Sequence, residues 1–400
     1  MVPDGWKISS LGEICSGKLQ TGPFGSQLHS YEYVDEGIPV LMPKDLYDCK
    51  ADLMSAAKIP ETKANELKKH RLVRGDLLFS RRGDVTRFAL IDEKSEGALC
   101  GTGCLKARPN KQHSPEFLAY FLQKNSVKKW LEQNAVGQTM PNMNTEILNE
   151  LPLMSASSRA EEEKIAQILS TWDKAISTTE KLIRISHQQK TALMQQLLPG
   201  KKRFLEFSCK WTRMQLKNLL KEEKERNKNS TVNRVLSVTN HSGFVLPEDQ
   251  FYKRVASEDV SNYKVVRHGQ FGYNPSRINV GSFARLDEYK EGLLSPMYVI
   301  FSVNKADLNS DFFLEWMSSG EAKSRIASST QGSVRESVGF DALCAIHIWL
   351  PPLKEQLKIV SVLNIYNREI ILLKQKLEHL KQEKKALMQQ LLTGKRRVKI

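Results

Sequence analysis

Apolar residues recur at steps of three and four along two stretches of the chain, which predicts two long helices. In the second stretch they run over about four heptads, interrupted only by Lys384: Leu363, Tyr366, Ile370, Leu373, Leu377, Leu380, Leu387 and Leu391. The first stretch keeps the frame with weaker positions at Thr179, Ser186 and Lys190: Leu169, Trp172, Ile176, Ile183, Leu193 and Leu197. Steps that alternate between three and four are typical of a coiled coil.

The two stretches are copies of one another. ALMQQLLPGKKR starts at Ala192 and ALMQQLLTGKRR starts at Ala386, and segments 165–203 and 359–397 align without a gap at this offset of 194 residues. Because one copy is leucine-rich and the other half polar, we expect the two helices to pair with each other. Each helix should end near its glycine, Gly200 or Gly394. The basic triplet beyond suits the negative end of the helix dipole.

A divergent domain precedes each helix. The two domains share landmarks: Trp6 with Trp211, VRGDLLFSRRGD with VRHGQFGYNPSR, and Gly137-Gln-Thr-Met with Gly332-Ser-Val-Arg. The runs IPVLM, GDLLFS and FALIDE predict strands, while SPEFLAYFLQKNSVKKWLEQ and NSDFFLEWMSSGEAKSRIAS each predict an amphipathic helix. The expected fold class is α+β (mixed), with two α/β domains and two long antiparallel coiled-coil helices in a pseudo-two-fold repeat. We place the segments as follows: domain 1 at 1–156, helix at 157–200, domain 2 at 201–352, helix and basic tail at 353–400.

Three local features leave alternatives. Lys190 and Lys384 occupy coiled-coil core positions, where a lysine either extends out to solvent, which we favour, or sets the helix register. The residues from Ser157 to Glu161 differ from the matching PPLKEQ and could shift the start of the first helix by a few residues. The run KEEKERNKNS from Lys221 is expected to be a flexible loop that could touch phosphates.

The charge balance indicates a polyanionic partner. The chain has 60 Lys and Arg against 45 Asp and Glu, a formal net charge of +15, which favours nucleic acid. No apolar run approaches the ~18 residues of a membrane helix, and the start MVPDGWKISS does not resemble a secretory signal, so we expect a cytoplasmic protein. The six cysteines are scattered. The lone pair Cys100 and Cys104 is a poor zinc signature, so buried free thiols and no metal site are expected.

The combination of PPLKEQLKIVSVL and LMQQLLTGKRR with two divergent domains resembles the specificity subunits of type I restriction–modification systems. The resemblance covers essentially the whole chain, and GPFGSQLHS, FSRRGDV and YNPSRINVGS resemble parts of the family's target recognition domains. It implies that each domain reads one half of a bipartite DNA site. The helices would separate the halves and dock two methyltransferase subunits, with restriction subunits joining them. S-adenosylmethionine would bind the methyltransferase, which would modify N6 of adenine, and this chain would hold no cofactor.

The helix length suits this role. About 36 residues at ~1.5 Å each span roughly 50 Å, and half-sites one turn of DNA apart, ~34 Å, are within that reach. Polar side chains on loops directly after apolar runs are the expected readers of base edges. The candidates in the first domain are Gln20, Ser26, Lys44, Arg81, Arg82, Asn142 and Asn144. Those in the second domain are Asn240, Tyr273, Asn274, Arg277, Asn279, Ser333 and Arg335.

Several candidates have simpler structural explanations. Arg81 and Arg82 could form an ordinary surface pair with local salt bridges. Asn142 and Asn144 could cap the following helix or turn, and Asn274, which precedes a proline, could be a turn residue.

Two other classes of protein fit less well. An enzyme acting alone on an amino group of DNA needs an (Asn/Asp)-Pro-Pro-(Tyr/Phe) loop, which is absent. Gly12–Leu19 approaches a phosphate-binding loop but has Leu19 where Ser or Thr must hold Mg²⁺. Scattered carboxylates leave a nuclease site open. A purely structural coiled-coil adaptor explains the helices but not the two basic, loop-rich domains.

Overall fold

A computed structural model describes residues 2–137, 141–247, 259–329 and 337–400. The chain divides into two compact units. The first unit comprises residues 1–180 and 376–400, and the second unit comprises residues 181–375. Each unit therefore contains one of the divergent domains together with a part of each long helix.

The first unit is built from small antiparallel sheets. Its largest sheet has the strand order β2-β10-β7-β8, a three-stranded sheet has the order β6-β3-β9 with β3 and β9 parallel, and β1-β11 and β4-β5 are two-stranded. The strands are β1 (Lys7–Ser10), β2 (Leu19–Thr21), β3 (Ile38–Leu41), β4 (Leu46–Tyr47), β5 (Lys50–Ala51), β6 (Ala57–Ile59), β7 (Leu77–Ser80), β8 (Phe88–Leu90), β9 (Leu99–Cys100), β10 (Cys104–Ala107) and β11 (Pro152–Ser155). The predicted strands in IPVLM, GDLLFS and FALIDE are confirmed as β3, β7 and β8.

The helices of the first unit are α1 (Leu11–Ile14), α2 (Glu61–Glu66), α3 (Pro115–Leu122), α4 (Asn125–Asn134), α5 (Thr145–Asn149) and the long helix α6 (Arg159–Leu197), which continues into the second unit. All of them except α2 pack on one side of the large sheet, in a core that includes Phe79, Phe88 and Phe117. Ala64 of α2 packs instead with Ile59 and Leu99 of the three-stranded sheet. Short 3-10 turns occupy Ser30–Glu32, Pro43–Asp45 and Lys68–His70.

The second unit repeats the main features of the first. Its four-stranded sheet has the order β13-β20-β17-β18, and β12-β21, β14-β15 and β16-β19 are two-stranded. The strands are β12 (Thr212–Gln215), β13 (Leu220–Glu222), β14 (Ser237–Thr239), β15 (Gly243–Val245), β16 (Lys264–Arg267), β17 (Phe271–Tyr273), β18 (Phe283–Arg285), β19 (Glu291–Leu294), β20 (Val299–Val303) and β21 (His347–Leu350). The helices are α7 (Ser310–Ser318), α8 (Gly320–Ser329), α9 (Phe340–Cys344) and α10 (Leu353–Leu391), with 3-10 turns at Leu216–Asn218 and Ile278–Val280.

The prediction of a single amphipathic helix after each large sheet was wrong. α3 and α4 are separated at Lys124, and α7 and α8 at Ser319, where the backbone is extended. The buried residues explain the break. The step from Leu122 to Val127 is five residues, which in a continuous helix would turn the side chain about 140° away from the core. The interruption returns the apolar face of α4 to the core.

The predicted loop KEEKERNKNS is also ordered over much of its length. Its first residues belong to β13, and Arg226 forms an isolated β-bridge with Lys264. Asn227 is buried and exchanges two side-chain hydrogen bonds with the backbone of Val232, at 2.9 and 3.1 Å. This buried polar link ties the segment to the domain.

The long helices have equal lengths and matching ends. α6 runs from Arg159 to Leu197 and α10 from Leu353 to Leu391, so both boundaries keep the offset of 194 residues. The alternative of a shifted start for the first helix is therefore excluded. Every apolar position of the predicted coiled-coil frame is buried or half-buried.

The helix segments within the first unit run antiparallel. Lys384 pairs with Asp173 at 2.6 Å, and Lys381 pairs with Glu180 at 2.9 Å. Our expectation that Lys384 and Lys190 extend to solvent was wrong. Their side chains are only 17% and 19% exposed, because each lies beside a carboxylate.

Each repeated helix ending packs against a tryptophan of its own unit. Gly394 has φ +65° and lies against Trp6, and Gly200 has φ +73° and lies against Trp211. A Cβ atom at Gly394 would lie 3.0 Å from the Trp6 ring and 2.7 Å from Pro3. Glycine is required at these positions because the left-handed backbone and the close ring both exclude a side chain.

Candidate nucleic-acid interface

Three loops leave the large sheet of the first unit at one edge. β10 is antiparallel to both β2 and β7, so its start lies beside their ends. Backbone hydrogen bonds join the loops, including one from the N–H of Arg81 to the carbonyl of Gly103 at 2.8 Å. We call this region the first loop edge, and its three loops are 22–29, 81–87 and 101–103.

Arg81 and Arg82 follow β7 directly and lie on the first loop edge. Arg82 forms a β-bridge with Asn142, and the N–H of Met143 donates to the carbonyl of Arg81 at 2.8 Å. The side chain of Ser80 donates to the carbonyl of Arg82 at 3.0 Å. Arg82 is exposed and, within the described part of the chain, forms no ion pair. A fixed backbone thus presents an available guanidinium.

At the first loop edge and in the segment bridged to it, two buried polar atoms have no hydrogen-bond partner among the described residues. These are Nε of Arg81 and Oδ1 of Asn142. Buried polar atoms normally form hydrogen bonds, and an unsatisfied one often marks a site for water or a ligand. The structure therefore brings Arg81, Arg82 and Asn142 together, although they lie about sixty residues apart along the chain.

The remaining candidates of the first domain differ in their settings. Gln20 lies in β2 opposite Lys106 and is half-buried, whereas Ser26 is exposed on loop 22–29. Lys44 is exposed on the 3-10 turn after β3. That turn packs on the first loop edge, since a Cβ atom at Gly103 would lie 2.8 Å from Pro43.

Asn144 serves as a helix cap. Its side chain accepts a hydrogen bond from the N–H of Ile147 at 2.7 Å, at the start of α5. This contact uses Oδ1 for the fold, as the capping alternative anticipated. A base contact by Asn144 would have to use its amide nitrogen.

The second unit has an equivalent edge. β20 is antiparallel to β13 and β17, so loop 274–282 leaves the sheet where β20 begins. We call this region the second loop edge. Arg277 is exposed on it and, among the described residues, forms no ion pair, as at Arg82.

Three other candidates at the second loop edge are partly explained by turns. Asn274 accepts a hydrogen bond from the N–H of Ser276 at 3.0 Å, and Asn279 accepts one from the N–H of Val280 at 2.9 Å. Asn240 is exposed at the turn between β14 and β15. It lies beside the loop, because a Cβ atom at Gly281 would be 3.6 Å from the Asn240 Cβ.

The structure corrects the assignment of Tyr273. Its side chain has no exposed surface and packs with Phe301 at a ring distance of 6.2 Å. Tyr273 faces the core because Phe271, two residues earlier on the same strand, also faces it. Burial raises the pKa of its hydroxyl. Tyr273 therefore supports the sheet from inside and does not present a surface to DNA.

Ser333 and Arg335 lie outside the described residues. At the second loop edge, the N–H of Val338 donates to the carbonyl of Pro275 at 3.0 Å. The matching contact in the first unit runs from the N–H of Met143 to the carbonyl of Arg81, at 2.8 Å.

Sequence reasoning missed a basic cavity in the first unit. Its volume is about 780 Å³, and it borders loop 81–87 through Asp84, Thr86 and Arg87. Four of its lysines form no ion pair within the described ranges: Lys124, Lys128, Lys385 and Lys395. Burial lowers the pKa of Lys124, whose ammonium lies 4.3 Å from the centre of the Phe121 ring. The clusters KNSVKK and KQEKK and the ending GKRR supply these lysines, but nothing in the sequence shows that they meet.

An equivalent cavity of about 710 Å³ lies in the second unit, where α7 ends and α8 begins. Its charged lining residues are Lys201, Lys323 and Glu321. Lys323 and Lys201 correspond to Lys128 and Lys395 of the first cavity. The second cavity is therefore less basic than the first.

The cysteines are free and mostly buried. Only Cys209 is exposed, and Cys49 is half-buried. Burial raises the pKa of Cys100 to about 12. Within the described ranges, no group of three or more His, Cys, Asp or Glu side chains could hold a metal ion. No helix in the same part of the chain has both the length and the apolar character needed to cross a membrane.

The four-stranded sheets of the two units have the same strand order but carry different loops, and the long helices repeat. This architecture defines a class of internally duplicated proteins with two divergent domains. Solved chains share this fold at low sequence identity. An S subunit of a type I restriction–modification system from M. genitalium matches with a TM-score of 0.60 and 14% identity, over 98% of this chain and 96% of that one. A chain solved in work on the assembly and conformational transition of the type I R-M system matches with a TM-score of 0.55 and 16% identity, over 98% of each chain.

Sequence comparison then identifies the family. The model of the type I restriction modification DNA specificity domain matches residues 3–186 and 256–382. The chain therefore belongs to the family of type I restriction–modification specificity subunits. A putative type I restriction enzyme specificity subunit, MjaX, of Methanocaldococcus jannaschii is 26% identical over 430 aligned positions, covering 100% of this chain and 95% of the relative.

Proposed function

We propose that each unit reads one half of a bipartite, asymmetric DNA site and that the chain itself is non-catalytic. The observation that carries this proposal is the pair of loop edges. Both are built on sheets of the same strand order, but they present different polar side chains. Two sheets of the same order that carry different polar side chains suit a DNA site whose two halves differ in sequence.

Arg82 and Arg277 are the proposed base readers on which we rely most. Both are exposed, and neither forms an ion pair among the described residues. Arg82 follows β7 and Arg277 follows β17, which is the equivalent strand of the second sheet. Arginine can donate two hydrogen bonds to guanine in the major groove. The footprint would be completed by Gln20, Ser26, Lys44, Arg81, Asn142, Asn144, Asn240, Asn274 and Asn279.

The basic cavity would contact phosphates. Its unpaired lysines border loop 81–87, which also carries Arg82. Lysine binds phosphate as a point charge and carries no sequence information, so these contacts would position the duplex. The first unit would then supply more of the electrostatic affinity than the second, whose cavity is less basic.

The proposed partners are two methyltransferase subunits, joined by restriction subunits. The long helices expose apolar side chains that a partner could cover: Leu182, Ile185, Ile365, Ile371 and Leu372. Ile371 and Leu372 are adjacent, Leu182 and Ile185 lie about one helical turn apart, and clustered exposed apolar side chains mark protein interfaces. S-adenosylmethionine would bind the methyltransferase, and N6 of adenine would be the modified position.

The test is to co-express the chain with its methyltransferase partner and to map methylated bases across a genome by single-molecule sequencing. A bipartite, asymmetric motif with a fixed spacer is the expected result. Replacing residues 1–155 with another such domain should change only one half of the motif.

Other results would select the rival classes. Methylation or cleavage of DNA by the purified chain alone would make it an enzyme in its own right. If neither the chain alone nor its complex with the methyltransferase binds duplex DNA in a salt-sensitive way, the chain is a structural adaptor.

A further inference from the structure

In the first unit, a lysine in the last two turns of α10 forms an ion pair with one carboxylate. Nζ of Lys384 lies 2.6 Å from Oδ1 of Asp173, and the hydroxyl of Tyr120 donates to Oδ2 of the same aspartate at 2.6 Å. Tyr120 belongs to α3 of the domain, whereas Asp173 and Lys384 belong to the long helices. The contact therefore joins the domain to its scaffold.

In the second unit, the same arrangement uses a different carboxylate. Nζ of Lys190 lies 2.9 Å from Oε2 and 3.0 Å from Oε1 of Glu315, and the amide of Asn367 donates to Oε1 at 2.9 Å. The Glu315 side chain is only 9% exposed. Here the domain supplies the carboxylate through α7, and the long helix supplies a neutral amide.

The six residues occupy equivalent positions. Lys190 and Lys384 are separated by the repeat offset of 194 residues, and so are Asp173 and Asn367. Tyr120 is the sixth residue of α3, and Glu315 is the sixth residue of α7. The negative charge has thus moved from the scaffold in the first unit to the domain in the second.

We propose that a domain and its scaffold position are compatible only when together they present one carboxylate to the lysine. This inference rests on the proposed function only in treating the domains as DNA readers. Domain 1 placed at the second position would put a tyrosine beside Asn367 and leave Lys190 without a carboxylate. Domain 2 placed at the first position would put two carboxylates beside Lys384.

Both mismatches are costly for physical reasons. A partly buried lysine without its partner loses the charge-assisted hydrogen bonds that offset its desolvation. Two carboxylates within hydrogen-bond distance repel each other, so one must take up a proton. Tyr120 avoids this conflict because burial and the Asp173 carboxylate both raise its pKa, which keeps the phenol a proton donor.

The first test keeps the domains in place. In the full chain, Tyr120→Glu creates two carboxylates, and adding Asp173→Asn recreates the arrangement of the second unit. We expect Y120E to lower the thermal unfolding midpoint by several degrees and Y120E/D173N to recover most of it. Likewise E315Y should destabilise the second unit, and E315Y/N367D should recover it. Double variants no more stable than Y120E and E315Y would overturn the proposal.

The second test exchanges the domains, residues 5–155 for residues 210–350, in the chain co-expressed with its methyltransferase partner. The pair D173N/N367D should raise the unfolding midpoint of the exchanged chain and lower that of the original chain. The same two substitutions thus act in opposite directions, which a purely structural contribution of either residue would not produce. A change of the same sign in both chains would overturn the proposal.

Methylation mapping separates this proposal from the proposed function. A stabilised exchanged chain whose motif has its two halves in reversed order supports both. A stabilised chain that directs no methylation supports the compatibility rule and contradicts the DNA-reading function. The thermal measurement decides the rule in either case.

Discussion

Arg397 holds the carboxylate of Glu161 with two hydrogen bonds, from Nε at 2.6 Å and from Nη2 at 2.9 Å. Glu161 lies fully buried at the start of α6, whereas Arg397 follows the end of α10. Arg203 and Glu355 form the same pair in the second unit, at 2.9 and 2.7 Å. The last arginine of each repeated ending therefore closes a unit, which explains why the chain contains that ending twice.

We predict that Arg397→Met destabilises the first unit, because it leaves the buried carboxylate of Glu161 without its charged partner. Urea denaturation of the full chain measures this loss. The matched control is Arg396→Met, since Arg396 is exposed and precedes the closing arginine. Equal stability of R397M and R396M would show that the pair contributes nothing to the fold.

We predict that Arg82→Ala weakens recognition of one half-site by about 1–3 kcal/mol, the discrimination that a bidentate arginine provides. Binding of the methyltransferase complex to specific and scrambled duplexes measures this change. Arg74→Ala is the control, because Arg74 is exposed before the opposite end of β7. A uniform loss on both duplexes would instead assign Arg82 to a phosphate contact.

We predict that replacing Lys128, Lys385 and Lys395 together by alanine reduces the salt dependence of DNA binding. Each lost phosphate contact should lower the slope of log K against log salt by about 0.9. The preferred sequence should not change. A control triple variant replaces three exposed lysines outside the cavity, at positions 18, 68 and 94. An unchanged slope in the first variant would remove the cavity from the proposed footprint.

We predict that acid weakens the first unit through His70. Burial first, and then the charges of Lys69 and Lys106, lower the pKa of His70 from 6.5 to about 4. Because only the unfolded chain takes up this proton between pH 6.5 and about 4, the stability contributed by neutral His70 is greatest above pH 6.5 and falls as the pH drops towards 4. The total loss is up to about 3 kcal/mol.

Urea denaturation between pH 7 and pH 4 measures this dependence. His70→Leu should flatten the profile, whereas His379→Leu, at an exposed position on α10, should leave it unchanged. A profile equally steep with H70L would assign the acid sensitivity to other groups.

Some features could be predicted from the sequence because their signals are local. The apolar period and the copied ending predicted two long helices and their pairing frame, and the short apolar runs predicted β3, β7 and β8. The repeated landmarks VRGDLLFSRRGD and VRHGQFGYNPSR predicted equivalent loops after equivalent strands. Each of these signals depends on residues that are neighbours along the chain.

The remaining features depend on residues that lie far apart, so only the tertiary structure decided them. Tyr273 was predicted to be a DNA contact because of its loop context, but the sheet turns it into the core. The partners of Lys190 and Lys384 depend on contacts across 125 and more residues, and Arg397 meets Glu161 across 236 residues. The sequence by itself determined that the chain contains a repeat and that its net charge is positive. Tertiary packing determined which charged side chains form ion pairs, because a charge that is removed from water needs a partner of opposite charge.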